Sequence, residues 1–419
     1  MTKGLERYLD NVELQATRHP VALVVRYEGH VDLAGLEDAY RLLCVRHPVL
    51  RARIHPEGDR HLLEVPQWSS VDVVVRSGGS DEEHLRRIGL EWRIERELAR
   101  LLVVERDGGG SIAFFADHAI ADGMAKSAYL AELWALYVQW ASGRRPEVRT
   151  DGRLPAAPVD VLRDRLGDHS LPEIVKLVDP DDYEGTEAVR RYITLSPRAT
   201  ADLVATAKAI GTTVNAILCA AVLLAQRRQF DGRDPVDMLC WAPVDLRRRM
   251  EPAVGATETT NFIGMSPVTV LVGPDSDLVR LARTVRSRLE AVILNQQPLR
   301  DLFARTSGGT SPPVGWNLTN AAVSNLGVVR GFPPGPGARI AGFEVYSHAV
   351  KGATPSYVAY TYDGCLGIEA FYRSGTYSVD QVESLVDELK RQLAQATALR
   401  GGNDDHPRAG TARAERSAS

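Results

Sequence analysis

Strand-like and helix-like segments alternate along the first 143 residues, and this alternation restricts the chain to folds in which helices pack against sheets. Strands are predicted for VALVVRYEG, VLRARIH, HLLEV, VDVVVR, LLVVER and SIAFFAD. Amphipathic helices are predicted for DLAGLEDAYRLLCVRH and DEEHLRRIGLEWRIERE, and a long helix from Asp122 to about Gly143. The pattern predicts an α/β (α+β) fold.

Chains of this length usually form more than one hydrophobic core. The 419 residues therefore predict two halves, each with its own core. Residues 144–187 are rich in Pro, Asp and Arg with weak periodicity, which is typical of a connection. We place the boundary near residue 180, giving halves 1–180 and 181–400. The second half resumes with the strand RRYITLS, two helices and the strand DMLCWAPVDL. Residues 401–419 lack the apolar side chains that would be needed to offset the entropy lost on ordering, so we expect a disordered tail.

Composition excludes several classes of protein. An apolar fraction of 44% and a charged fraction of 25% are ordinary for a globular chain, and no apolar run reaches the length of a membrane span. The net charge of −4 leaves no basic patch with interleaved aromatics, so nucleic acid is not an expected partner. The opening MTKGLERYLDNVELQ is too charged for a secretory signal, and we expect a cytoplasmic protein.

Metal and cofactor motifs are missing from the sequence. The four cysteines form no CxxC pair, which argues against both a zinc site and a disulfide framework and favours reduced core thiols. HExxH, P-loop and GxSxG motifs are absent. We therefore expect no metal and no permanently bound cofactor.

The segment DHAIADG, residues 117–123, lies where an apolar strand ends and a helix begins, a position that can present side chains to a cleft. There His118 can act as a general base, although a single histidine after a strand is more often structural. Asp122 can cap the helix or pair with an arginine, and Gly123 leaves room for close backbone approach. Asp117 can orient the ring of His118 and raise its pKa, or accept backbone hydrogen bonds in the core; we favour the second role.

DHAIADG resembles the HHxxxDG signature of the condensation-domain superfamily of acyltransferases, which includes peptide-synthetase condensation domains, polyketide-associated acyltransferases and alcohol acetyltransferases. Further segments resemble that family in the same order along the chain: RLLCVRHPVLRARI, TTVNAILCAAVLLA, WAPVDLRRR, NFIGMSPV and AVSNLG. Asp117 departs from the pattern, because the family usually has its first histidine there. Plant relatives that carry HxxxD manage without that histidine.

The resemblance implies two chloramphenicol-acetyltransferase-like halves, each a mixed sheet flanked by helices, arranged as a V around a central channel. It implies that His118 is the catalytic base, and that the aspartate of the motif is a structural residue paired with an arginine from the other half, for which Arg247 is the best match. Arg248 and Arg249 are expected to be solvated. The acyl donor would be a thioester of coenzyme A or of a phosphopantetheinyl carrier protein.

Three residues of the second half are candidates for substrate contacts. Ser324 and Asn325, in SNLG, can donate to an oxyanion or to the thioester, or can satisfy local backbone groups at a strand end. Trp241 can line a channel, although an aromatic residue at the end of an apolar strand is more often in the core.

We expect a monomeric acyltransferase of natural-product or lipid biosynthesis that acts on a small hydroxyl or amine acceptor. An acyl or peptidyl carrier protein is a further candidate partner. Two alternatives stay open. The same cleft can catalyse a cyclisation, dehydration or elimination, or the chain can be a non-catalytic module that binds a carrier protein.

Overall fold

The computed structural model describes residues 5–67, 71, 73–147, 152–167, 188–306, 319–348 and 354–399. The predicted disordered tail at 401–419 lies outside these residues, as does most of the chain around the predicted boundary near 180. The division into 1–180 and 181–400 therefore stays a prediction.

The described residues form strands and helices that alternate in both halves. In chain order the strands are β1 (Leu5–Tyr8), β2 (Pro20–Gly29), β3 (Arg53–Glu57), β4 (Arg60–Val65), β5 (Val73–Ser77), β6 (Ala99–Arg106), β7 (Gly109–Asp117), β8 (Ala188–Leu195), β9 (Val236–Asp245), β10 (Ile263–Val272), β11 (Asn320–Val328), β12 (Ala338–Ser347), β13 (Ser356–Tyr362) and β14 (Cys365–Arg373). The helices are α1 (Asn11–Gln15), α2 (Leu33–Arg46), α3 (Asp81–Glu91), α4 (Gly123–Ala141), α5 (Pro158–Leu166), α6 (Pro197–Ala209), α7 (Val214–Arg227), α8 (Leu278–Leu294), α9 (Gln297–Thr306) and α10 (Val379–Ala398).

The first large sheet has the strand order β12-β2-β7-β6-β5, with β5 and β6 parallel and the other pairs antiparallel. Helices α2 and α4 pack against each other over this sheet and share its apolar core. Their approach depends on Gly35, because a Cβ there would lie 2.1 Å from Cε3 of Trp140. This packing fixes α4, and with it the turn that precedes α4.

The second large sheet has the order β10-β9-β11-β13-β14-β8 and is also mixed, since β11 runs parallel to both of its neighbours. Helices α6, α7, α8 and α10 cover one face and contribute to its core. Strands β1, β4 and β3 form a separate small sheet in the order β1-β4-β3. The predicted pair of mixed sheets flanked by helices is confirmed.

One strand of the second half completes the sheet of the first. β12 pairs antiparallel with β2, for example Phe343 opposite Val25, although more than 300 residues separate them. Next to this strand, Arg190 of β8 forms ion pairs with Glu344 of β12 at 2.7 Å and with buried Glu369 of β14 at 2.8 Å. Backbone pairing thus places a strand of the second half in the sheet of the first, and the Arg190–Glu344 ion pair connects the two large sheets.

Three local predictions differ from the structure. The strand predicted at 49–55 begins only at Arg53, because Pro48 starts one turn of 3-10 helix at Pro48–Arg51. The helix predicted at 81–97 ends at Glu91, where Trp92 takes up an extended conformation. The predicted connection 144–187 contains helix α5, since apolar side chains of 158–166 pack into a third cluster with residues of the second half.

The cysteines are free thiols in this fold. Cys44, Cys219 and Cys240 are buried and Cys365 is half-buried. Burial raises the pKa of Cys44 to about 12, so this thiol stays protonated at neutral pH.

Within the described ranges, no helix is by itself long and apolar enough to cross a bilayer. The consecutive helices α6 and α7 together meet the length and composition of a span, but they are bent by 99° at their junction.

Candidate active site

His118 is the accessible point of an otherwise buried strand-to-helix turn. Residues 111–117 and 119–122 are buried, whereas His118 is half-buried. Its backbone N–H donates to the carbonyl of His19 at 3.0 Å, which ties the turn to the start of β2. The only side chain of residues 111–122 that is not buried is therefore an imidazole.

Two side chains from distant parts of the chain contact the His118 ring. Nδ2 of Asn261 lies 3.1 Å from Nδ1 of His118. The ring of His19 stacks on that of His118 with centroids 5.5 Å apart and an interplanar angle of 20°. His19 is itself held by a hydrogen bond of 3.0 Å between Nε2 and Oγ of Ser347 in β12.

Sequence reasoning missed Asn261, His19 and Ser347. Asn261 is the first residue of NFIGMSPV, a segment singled out for its family resemblance, but its contact with His118 bridges 143 residues. His19 precedes an ordinary strand and Ser347 ends one, so neither carries a local signal.

Asp117 is fully buried and its carboxylate accepts three hydrogen bonds. Oδ2 accepts from the backbone N–H of His19 at 3.1 Å and from Nε1 of Trp92 at 3.0 Å, and Oδ1 accepts from the backbone N–H of Ala119 at 3.0 Å. These contacts connect β2, the end of α3 and the DHAIADG turn. They correspond to the core acceptor role that the sequence analysis favoured for this residue.

A buried lysine accompanies this aspartate. Lys126, one turn into α4, is 1% exposed, and its Nζ donates to the carbonyl of Ala121 at 2.6 Å. Burial lowers the pKa of Lys126 to about 8, and the carboxylates of Asp117 and Asp122 act in the opposite direction. Asp117 thus contributes both hydrogen-bond acceptors and the negative charge that favours this buried ammonium.

Restoring the family's first histidine with Asp117→His should destabilise the protein. An imidazole can accept from one of the three donors and leaves the others unpaired, which costs roughly 2–6 kcal/mol in the free energy of unfolding. Denaturant titration would measure this, with Asp107→His in the exposed β6–β7 turn as the matched control. Parental stability together with faster acyl transfer would contradict this account of Asp117.

Asp122 caps α4 and forms a buried ion pair with the second half. Its Oδ1 accepts from the backbone N–H groups of Met124 and Ala125, both at 3.0 Å. Its Oδ2 lies 2.6 Å from Nη1 of Arg247, which also contacts Asp245 at 3.1 Å. The sequence analysis left open whether Asp122 caps the helix or pairs with an arginine, and it does both. Arg248 and Arg249 are exposed.

The segment before β10 is bound to the turn on both sides of Asn261. The backbone N–H of Asp122 donates to the carbonyl of Thr260 at 3.0 Å, and the backbone N–H of Phe262 donates to Oδ2 of Asp122 at 2.9 Å. Oγ1 of Thr260 also donates to Oε1 of buried Glu13 at 2.6 Å. Residues 260–262 are therefore fixed relative to His118.

The SNLG strand approaches the start of α4. A Cβ placed on Gly123 would lie 2.8 Å from Cδ2 of Leu326, so the glycine permits this contact. Ser324 is half-buried, whereas Asn325 is exposed and its Oδ1 accepts from the backbone N–H of Gly327 at 2.8 Å. Leu326 of SNLG thus lies next to the start of α4.

Trp241 and Ser324 lie on one face of the second sheet. Their strand neighbours Cys240 and Val323 point into the core beneath the helices, so Trp241 and Ser324 point to the opposite face. Leu326, two residues beyond Ser324, packs against the core of the first half. Trp241 is 7% exposed, and its Nε1 has no hydrogen-bond partner among the described residues.

The chain shares the fold of solved acyltransferase structures and is similar in sequence to named transferases, which supports acyltransferase activity. More particularly, residues 184–371 match a family model described as the C-terminus of phthiocerol/phthiodiolone dimycocerosyl transferase. This match covers somewhat less than half of the chain.

Individual proteins are similar to this chain in sequence or in structure. The chain is 28% identical over 325 residues to a phthiocerol/phthiodiolone dimycocerosyl transferase of Mycobacterium ulcerans, covering 72% of this chain and 76% of that protein. The corresponding protein of Mycobacterium leprae is 24% identical over 69% of this chain and 74% of its own. Polyketide synthase associated protein 5 of Mycobacterium tuberculosis has a similar structure, with a TM-score of 0.77 and 22% identity over 95% of this chain and 99% of that one.

Proposed function

We propose that this protein transfers an acyl group from a thioester to a hydroxyl or amine, with His118 as the general base. The observation that carries the proposal is the half-buried imidazole of His118, since the side chains of residues 117 and 119–122 in the DHAIADG turn are buried. The Asp122–Arg247 pair and the capped start of α4 hold that turn in place. This is the fixed geometry that general base catalysis requires.

In the proposed reaction, His118 takes the proton from the acceptor as its oxygen or nitrogen attacks the thioester carbonyl. The tetrahedral intermediate collapses, the carbon–sulfur bond breaks, and the thiolate leaves and takes up the proton held by His118. Ser324 is the proposed donor to the oxyanion, since it is half-buried on the sheet face that turns toward the first half. The side-chain oxygen of Asn325 accepts a hydrogen bond from the backbone N–H of Gly327 within its own turn. Trp241 is proposed to line the route to the site.

The donor is proposed to be acyl-coenzyme A or an acyl group on a phosphopantetheinyl carrier protein. The relatives are named for transfer of dimycocerosyl groups to phthiocerol or phthiodiolone, and a structural neighbour is associated with a polyketide synthase. These names support the proposal of a reaction in lipid or natural-product biosynthesis. A channel between the halves, the cytoplasmic location and the monomeric state remain predictions.

Product analysis tests the proposal. The protein would be incubated with octanoyl-coenzyme A, or with an octanoyl carrier protein, and a medium-chain alcohol or amine. We expect release of free thiol together with a product whose mass equals that of the acyl thioester plus the acceptor, less that of the thiol. Release of thiol without formation of an acylated acceptor would indicate that the protein only hydrolyses the thioester, and this would contradict the proposal.

The alternatives give different masses. A cyclisation leaves the mass of a bound intermediate unchanged, and a dehydration lowers it by one water. A docking module would bind the carrier protein without releasing thiol, and its binding would be indifferent to His118→Ala.

A further inference from the structure

Asn261 is placed against His118 by the backbone on both sides. The carbonyl of Thr260 accepts from the backbone N–H of Asp122 at 3.0 Å, and the backbone N–H of Phe262 donates to the carboxylate of Asp122 at 2.9 Å. Asn261 itself is 4% exposed. The amide therefore occupies a fixed, desolvated position beside the imidazole.

The polar atoms of this amide are unequally satisfied. Nδ2 lies 3.1 Å from Nδ1 of His118 and 3.4 Å from the carbonyl oxygen of the same residue. Oδ1 is buried and has no hydrogen-bond partner among the described residues. A half-turn about the bond to the amide carbon exchanges the two atoms within nearly the same space. The half-turn gives up the long 3.4 Å contact of Nδ2 and in exchange lets the unpaired Oδ1 accept a hydrogen bond from Nδ1–H of His118, so the proton on His118 decides which orientation is favoured.

Only one orientation is compatible with a base at Nε2. When Nδ2 of Asn261 donates to Nδ1 of His118, Nδ1 must be unprotonated and the neutral ring carries its proton on Nε2. When Oδ1 of Asn261 faces Nδ1, it accepts from Nδ1–H and leaves the lone pair of Nε2 available. The imidazolium formed after proton transfer also needs an acceptor at Nδ1, which Oδ1 provides.

The other titratable groups near the ring are placed differently. His19 stacks on the ring face and uses its Nε2 on Ser347. The carboxylate of Asp117 accepts from His19, Trp92 and Ala119 in the core. The carboxylate of Asp122 is engaged by Arg247 and by the backbone of α4. Of these groups, the amide of Asn261 is therefore the one placed to exchange a hydrogen bond with Nδ1 of His118.

We propose that Asn261 is a positioning residue that presents Oδ1 to Nδ1–H of His118, and so keeps Nε2 unprotonated and stabilises the imidazolium. The inference rests on the proposed role of His118 as the base. Asn261 acts through His118 and is not itself a catalytic residue.

Nitrogen-15 NMR of the histidine rings tests this inference directly. His118 would be assigned by comparison with His118→Ala. In the parent protein at neutral pH, we expect the Nδ1–H tautomer to dominate. In Asn261→Leu the population should move to the Nε2–H tautomer. The matched control is Asn11→Leu, since Asn11 is equally buried at 4% exposure and donates to the carbonyl of Thr306 away from the site. An Nε2–H tautomer in the parent, or the same tautomer in parent and Asn261→Leu, would overturn the proposal.

The variant Asn261→Asp provides a second test, and its result does not depend on how well Asn261→Leu folds. A carboxylate at this position accepts from Nδ1–H more strongly than an amide does and raises the pKa of His118. The acid limb of the kcat/KM profile for thiol release from octanoyl-coenzyme A should shift upward by about one pH unit. A profile identical to that of the parent would contradict the inference.

The two proposals fail separately. If the tautomer responds to Asn261 as expected but His118→Ala keeps parental turnover, the positioning role stands and the proposed function of His118 fails. If His118→Ala loses turnover while the tautomer ignores Asn261, the base stands and the positioning role fails.

Discussion

The His118→Ala protein should turn over acyl thioester and acceptor about 10²–10⁴ times more slowly than the parent, because a positioned general base contributes about that factor. The loss should lie mainly in kcat, since the imidazole acts on the proton that moves in the transition state. The unfolding midpoint should stay close to that of the parent, because His118 is half-buried and the adjoining turn is held by the buried side chains of Asp117 and Asp122. Thiol release and thermal unfolding would be measured on the same preparations.

A suitable control is His55→Ala, which removes a histidine from β3 in the small sheet. That variant should retain parental turnover. Parental turnover by His118→Ala would rule out the base assignment, whatever the product of the reaction is.

Replacing Arg247 with methionine should cost about 3–5 kcal/mol in the free energy of unfolding, as expected when one partner of a buried ion pair is removed. Arg247 is 3% exposed and Asp122 is fully buried, so the carboxylate of Asp122 would be left charged in the interior. Turnover should fall as well, because Asp122 holds both the start of α4 and the segment that carries Asn261. Chemical denaturation would give the stability and thiol release the turnover.

The neighbouring arginine offers a matched control. Arg248 is exposed, and Arg248→Met should change stability by less than about 0.5 kcal/mol. Equal effects of the two substitutions would show that the buried contact with Asp122 does not stabilise the turn.

Local patterns in the sequence predicted the elements around the site because those elements depend on neighbouring residues. The apolar run SIAFFAD became β7, and the helix predicted from Asp122 became α4 with Asp122 as its cap. Ordered motifs similar to those of a known family predicted the fold class and the acyltransferase activity. The same resemblance, together with its place between strand and helix, singled out His118, whose role as the base stays a prediction.

What the sequence by itself determined is therefore the fold class, the DHAIADG turn and the family resemblance. Only the tertiary structure decided which side chains meet at that turn. Asn261 reaches His118 across 143 residues, and the backbone of His19 reaches Asp117 across 98. Sheet register and the pairing of β12 with β2 bring such residues together, and no local propensity encodes those pairings. For the same reason Asp117, a conspicuous departure in the sequence, could be placed in the core only once its three hydrogen-bond donors were known.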